Sequence, residues 1–443
     1  MDLRAMQQSE RRLSAYVDGL ASVIGHADRA APLRDYCVGL LMPVERKSVE
    51  PMAAVTAPGR TAAQHQSLLH FVGQAAWLDE RVLAKVRELV LPEMERHGPI
   101  EAWVIDDTGF PKKGRHSVGV SRQYCGELGK QDNCQVAVSL SLANAHASLP
   151  VAYRLYLPEG WIEDGERRRK AGVPEDVGFR TKPEIALDHI RSACEAGFPR
   201  GVVLMDSGYG HDGKLRSGIS ALGLTYVAGI VGSMLVWRPG KEPQAQRAQP
   251  PKRGRRHQPN VISAKELAFS LPTKAWRTIT WREGTAEPLS ARFARLRVCV
   301  ASRRAVTVPE WLLVEWPKDE TEPTKCWLST LPEDIAFDRL VDRAKLRWRI
   351  ERDYQDLKQE TGLGHFEGRG WRGFHHHATL CIAAYGFLIC ERETIPPSAP
   401  RATTLFAQPR LPKGYKPRGA ATTRAAHPQF DRNNAPENHR RPG

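Results

Sequence analysis

The sequence predicts an α/β protein with a mixed sheet flanked by helices, and three observations carry that expectation. First, AWVIDDTG is followed by CQVAVSLSLAN and ASLPVAYRLYLP, three runs rich in Val, Leu and Tyr that read as strands, the last two as a hairpin. Second, PEIALDHIRSACEAG, GVVLMDSGYG, KLRSGISALG and LTYVAGIV then alternate helix with strand, the order that places helices against a sheet. Third, apolar residues recur at helical spacing at both ends of the chain.

From Leu13 to about His97 the helical spacing is sustained, as in WLDERVLAKVRELVLPEMERHG, with breaks near Pro43, Pro58 and Pro99. Residues 1–98 therefore read as a helical N-terminal domain, and 99–231 as the first part of a mixed α/β domain. After Val231 the segment RPGKEPQAQRAQPPKRGRRHQPN is polar, basic and Pro-rich. TIT, ARFARLRVCVASRRA and EWLLVEWP then read as antiparallel strands, making 232–331 a β-rich insertion. Helical periodicity resumes near Pro332 and completes that α/β domain at 332–395. Residues 396–443 lack periodicity, are rich in Pro, Arg and Ala, and read as a disordered basic tail.

Composition narrows the partners. The 443 residues suffice for two or three domains, and 41% hydrophobic content suits a water-soluble globular core. Lys and Arg total 65 against 50 Asp and Glu, a net charge of +15 that favours a polyanion, nucleic acid first. The eight cysteines form no CxxC pair and no zinc-spaced cluster, so reduced thiols are expected. The start lacks the apolar run of a signal peptide, and LCIAAYGFLIC is too short to span a bilayer. The reading is cytoplasmic with no membrane segment. No GxxxxGK[ST] loop appears, so ATP is not implied.

The stretch LRWRIERDYQDLKQETGLGHFEGRGWRGFHHHATL, beginning at Leu346, raises the question of chemistry. At about 100° per residue, Leu346, Ile350, Tyr354 and Leu357 share one apolar stripe. Relative to Glu351, Arg347 lies roughly 40° and Lys358 about 20° to the same side, whereas Asp353, Asp356 and Glu360 point to the opposite side. Glu351 thus edges the core between two basic residues. An ion pair with a spare lysine accounts for this as simply as a functional site does. Two further carboxylates, Asp106 in WVIDDTG and Asp206 in VVLMDSG, end apolar strands, a place where Asp also serves merely to start turns. Gathered at one rim, the three would repel unless a cation joined them. Oxygen donors without His or Cys favour Mg²⁺ or Mn²⁺, and a pair of such ions supports in-line attack on a phosphodiester.

This order of strands, Asp, strand, Asp, β insertion and helix with Glu resembles the DDE transposases of bacterial insertion sequences. The helix resembles their YREK signature, Tyr, two residues, Arg, three residues, Glu, six residues, Lys, at Arg347, Glu351 and Lys358; Ala344 stands at the tyrosine position. IDDTGFPKKGRHSVGVSRQYCGELGK, MDSGYG and EGRGWRGFHHHATL resemble the group of insertion sequence 701, over about Tyr36 to Ile395. The resemblance implies a ribonuclease H-like fold, with Asp106, Asp206 and Glu351 as catalytic metal ligands. It further implies that Arg347 and Lys358 hold DNA phosphates, that the partner is double-stranded DNA, and that a homodimer acts in the DNA complex. The family ligand ends its strand with Thr or Ser two positions on, a pattern that Asp106, followed by Asp107 and Thr108, fits better than Asp107 does, with Asp107 the alternative first ligand.

Other residues keep two readings. Lys112, Lys113 and Arg115 either hold phosphates at the mouth of the site or solvate a loop, and PKRGRRH at 251–257 is a linker or a phosphate-contacting loop. Trp348 and Trp371 stack on a flipped base or pack in the core. His375, His376 and His377 point in different helical directions, cannot all bind one ion, and read as helix surface and packing. A non-cutting, transposase-derived DNA-binding protein and a nuclease that does not join ends are the alternative functions.

Overall fold

The computed structural model of the chain describes residues 3–241, 260–282, 289–301 and 308–394. The PKRGRRH run and the basic tail lie outside the described residues. The described residues all fall within one compact unit. Among the described residues no helix is long and apolar enough to cross a membrane.

Five helices open the chain: α1 (Leu3–Ala21), α2 (Ala30–Leu41), α3 (Val49–Thr56), α4 (Thr61–Gly73) and α5 (Asp79–Glu95). Helices α1, α2, α4 and α5 pack around the last described helix, α14 (Trp371–Thr394), with α3 against α2 and α4; α14 is buried on nearly all sides, as an apolar helix must be in water. Tyr16 donates to the Ala383 carbonyl at 2.9 Å, and an added Cβ at Gly386 would come within 2.9 Å of the same hydroxyl. The three consecutive histidines sit on α14, and the surface part of their expected placement fails. His376 and His377 are fully buried; His376 faces the Val72 and Trp77 carbonyls, and His377 faces the Gly362 carbonyl and Tyr36. Packing against the N-terminal helices accounts for them, an environment that the local sequence does not reveal.

The sheet runs in the order β2 (Ser121–Cys125), β3 (Lys130–Ala143), β1 (Ala102–Pro111), β5 (Val202–Met205), β6 (Tyr226–Ile230), β12 (Lys325–Ser329), β11 (Glu310–Trp316), β10 (Leu289–Val298) and β9 (Arg277–Arg282), with β4 (Ser148–Leu155) also on β3. The β3–β4 hairpin is as the sequence predicts. The pairs β1–β5 and β5–β6 are parallel and β1–β3 is antiparallel, so the sheet is mixed. The long strands of the expected insertion, β9 to β12, continue the same sheet through β12, which pairs antiparallel with β6. Two short strands of the same stretch, β7 (Leu235–Trp237) and β8 (Val261–Ser263), pair with each other in a separate two-stranded sheet. Two strands of this large sheet escaped the sequence reading, β2 in SRQYC and β12 in KCWLS.

Two details of this frame position the site. Strand β1 does not end at Asp106 but runs on to Pro111 along β3, while its parallel neighbour β5 stops at Met205. The expected strand end is therefore the end of β5 only. The β1–β5 register pairs Ala102 with Val202 and Val104 with Leu204, so Asp106 and Asp206 lie at equivalent positions just past the last parallel pair. Adjacent strands stand about 4.8 Å apart, which brings residues a hundred positions distant in sequence side by side. The late helix is also divided: α12 (Phe337–Leu346) and α13 (Trp348–Gln359) meet at Arg347, which ends one and caps the other.

Candidate active site

Alternation along β1 sends its two aspartates to opposite faces of the sheet. Asp106 pairs across the ladder with Ser139, whose hydroxyl contacts Tyr354 of α13 at 2.6 Å, so this face looks onto α13. Asp107 pairs with Val138, whose carbonyl faces His189 on α8 (Lys182–Glu195), the opposite layer. The choice between the two is thus a choice of face.

On the α13 side the three expected carboxylates meet one cation. Arg347 donates from Nη2 to Asp106 Oδ2 at 2.7 Å, and the same nitrogen stands 3.9 Å from Asp206 Oδ2. Its Nη1 lies 3.5 Å from Glu351 Oε1. Burial raises the Asp106 carboxyl to about 7 against the pull of Arg347, with the charges of Asp206 and Asp107 adding to the rise. Asp206 ends β5 and caps the short helix α9 (Ser207–Gly210), accepting from the Gly208 and Tyr209 amides at 2.9 and 3.2 Å. Glu351 is the open member, its side chain 72% exposed.

The sequence-predicted basic residues do not all join this cluster. Arg347 stands at its centre. Lys358 instead donates to the Gly109 carbonyl at 2.9 Å and pairs with Glu127, next to the Phe110 ring. Lys112 is partly buried and donates to the Phe366 carbonyl at 2.9 Å, and its burial lowers its pKa. Lys113 and Arg115 are exposed, the latter accepting at its carbonyl from Arg167. Trp348 is half-buried beside the Arg349 guanidinium, and Trp371 packs on the His375 ring.

Sequence reasoning missed two sets of residues around these acids. Lys182 and Tyr209 hold Asp107, and Asp353 of α13 is buried with Ser148 and Tyr385 donating to its carboxylate. The quoted phrase MDSGYG contained Tyr209 and was the available signal. For Asp353 there was none, because its partners lie 205 and 32 residues away.

The chemistry of the donor set fits a hard divalent cation: all oxygen, partly buried, and already sharing one positive group. As placed around Arg347, however, no three His, Cys, Asp or Glu among the described residues stand close enough together to hold a metal ion.

A stretch of the chain is 32% identical over 194 residues to the "Probable transposase for insertion sequence element IS701" of Microchaete diplosiphon, covering 44% of this chain and 47% of that protein. The chain thus matches about half the length of that relative. Residues 19–288 match the family described as DDE superfamily endonuclease, a span that includes Asp106 and Asp206 and stops before Glu351. Because that match takes in more than half of the sequence, the chain belongs to the DDE superfamily endonucleases.

Proposed function

We propose that the protein is a metal-dependent DDE transposase that cuts double-stranded DNA at the ends of an insertion sequence and joins those ends to target DNA by transesterification. The single observation that supports this best is the meeting of Asp106, Asp206 and Glu351, from three elements far apart in sequence, on the guanidinium of Arg347. The family match and the IS701 relative point to the same reaction. In this reading the sheet with its flanking helices is a ribonuclease H-like catalytic domain, and α1–α5 form a DNA-binding N-terminal domain.

Asp106, Asp206 and Glu351 would hold Mg²⁺ or Mn²⁺ once Arg347 moves from between them. Bound there, the cation supplies activation of a water or 3′-hydroxyl and stabilises the departing oxygen. Arg347 then becomes free to pair with a phosphate, for which its planar fork is suited. Lys113 and Arg115 are open to solvent and available to the DNA backbone, whereas Lys112 and Lys358 must first give up protein partners. Joining two ends calls for two active sites, hence a homodimer on DNA.

The test is strand transfer with Mg²⁺ on DNA carrying the element's own ends. Cleavage followed by joining, both abolished by Asp206→Asn, is the expected result. Cutting without joining would make the protein a nuclease, and binding without cutting would leave a DNA-binding protein.

A further inference from the structure

We infer that Asp107, Tyr209 and Lys182 form a brace that sets the separation of Asp106 and Asp206, so that Asp107 is a positioning residue and not a metal ligand. The inference rests on the proposed metal-dependent function. Its basis is a continuous chain of hydrogen bonds from one aspartate to the other. The Asp107 amide donates to Asp106 Oδ1 at 2.8 Å. Asp107 Oδ2 accepts from the Tyr209 hydroxyl at 3.0 Å, and the Tyr209 amide donates to Asp206 Oδ1 at 3.2 Å. Lys182 joins from α8, its Nζ 2.8 Å from the same Asp107 oxygen.

Tyr209 is 3% exposed, so its hydroxyl has little water to turn to, and Asp107 is the partner that satisfies it. The turn that carries it is also pressed onto the sheet. A Cβ at Gly210 would fall 2.0 Å from the Gly229 carbonyl oxygen on β6, and one at Gly229 would fall 3.0 Å from the Ser207 amide. Glycine at both positions lets the backbone of the turn lie directly on the strand. The turn is therefore seated from below by β6 and tied from the side by Tyr209. What those two restraints fix is the placement of Asp206, which the turn begins, relative to β1. An ion pair between Lys182 and Asp107 for stability alone would require neither the tyrosine hydroxyl nor its position three residues after Asp206.

The brace makes a prediction about metal affinity that does not depend on turnover. Residues that orient a ligand typically matter by 10- to 100-fold in metal affinity. Mn²⁺ binding to the full-length protein without DNA, followed by calorimetry or electron paramagnetic resonance, should weaken by about 10-fold in Tyr209→Phe. Asp107→Asn should weaken it too, and the double variant should bind about as poorly as the worse single one, because both changes cut one link. Lowered melting temperature with unchanged Mn²⁺ affinity in both single variants would overturn the brace and leave a structural contact. Complete loss of Mn²⁺ binding in Asp107→Asn with none in Tyr209→Phe would overturn it as well, by making Asp107 the ligand. A wild-type protein that neither binds Mn²⁺ nor cuts DNA would bring down the proposed function itself, an outcome distinct from failure of the brace alone.

Discussion

Two residues apart on α13, Glu351 and Asp353 carry the same chemical group into opposite surroundings. The Glu351 side chain is 72% exposed, and across from it stands the guanidinium of Arg347. Asp353 is 3% exposed, and both its oxygens are used, one by the Ser148 hydroxyl and the other by Tyr385 at 2.9 Å. Asp356, one turn along, is likewise enclosed, by Arg352 at 3.1 Å and Arg392 at 3.0 Å. A carboxylate whose partners all come from the fold pins its helix to β4 and α14. One left at the surface beside a cation keeps coordination capacity for something that arrives. The back of α13 thus holds the helix in place, and its front presents Glu351 and Arg347 to Asp106.

That contrast can be broken most sharply from the front. Glu351→Gln should reduce DNA cleavage to background while leaving the melting temperature unmoved and DNA binding equal or slightly tighter, since a negative charge near phosphate is lost. Retained cleavage would remove Glu351 from the site. From the back, Asp353→Ala leaves the Ser148 and Tyr385 hydroxyls without their acceptor, and chemical denaturation should register a loss of roughly 2–4 kcal/mol. A loss as small as that of a surface substitution would mean that the helix is held by its apolar stripe alone.

A third prediction concerns pH. Burial raises the Asp353 carboxyl to about 7, against the hydroxyl hydrogen bonds that favour its charged form. In the unfolded chain an aspartate titrates near 3.9. Between these values the native state binds the extra proton, so the contribution of Asp353 to stability is full below about pH 4 and is lost as pH rises through about 7. Measured against Asp353→Asn, which cannot titrate, the wild type should lose relative stability across that window. A stability difference independent of pH would contradict the buried placement. The smallest effect is expected at Lys358, whose pairing with Glu127 and the Gly109 carbonyl should make Lys358→Ala cost about 1 kcal/mol. If the lysine also holds a phosphate, log K against log salt should lose about 0.7–0.9 of slope; an unchanged slope confines it to the Glu127 pair.

Much of this was legible in the residues. Of the apolar stripe, Ile350, Tyr354 and Leu357 are buried as its spacing requires while Leu346, at the end of the preceding helix, is half-buried, and the hairpin and the strand–helix alternation follow the period of the side chains. Local rules suffice there because helical and extended backbones impose fixed periods on whatever chain adopts them. They fail where the outcome depends on distant partners. The histidines of α14 look like a polar surface until helices some 300 residues earlier cover them.

Sequence alone therefore determined which residues can be charged, which faces must be buried, and that Asp106, Asp206 and Glu351 belong to three separate elements. Only the tertiary structure decided that Asp106 turns towards Arg347 while Asp107 turns towards Lys182, that the insertion strands extend the sheet, and that Asp353 is enclosed. The reason is physical. Period and propensity act over a few residues, but strand register, the face a side chain takes and the desolvation of a charge are set by neighbours that only folding brings near.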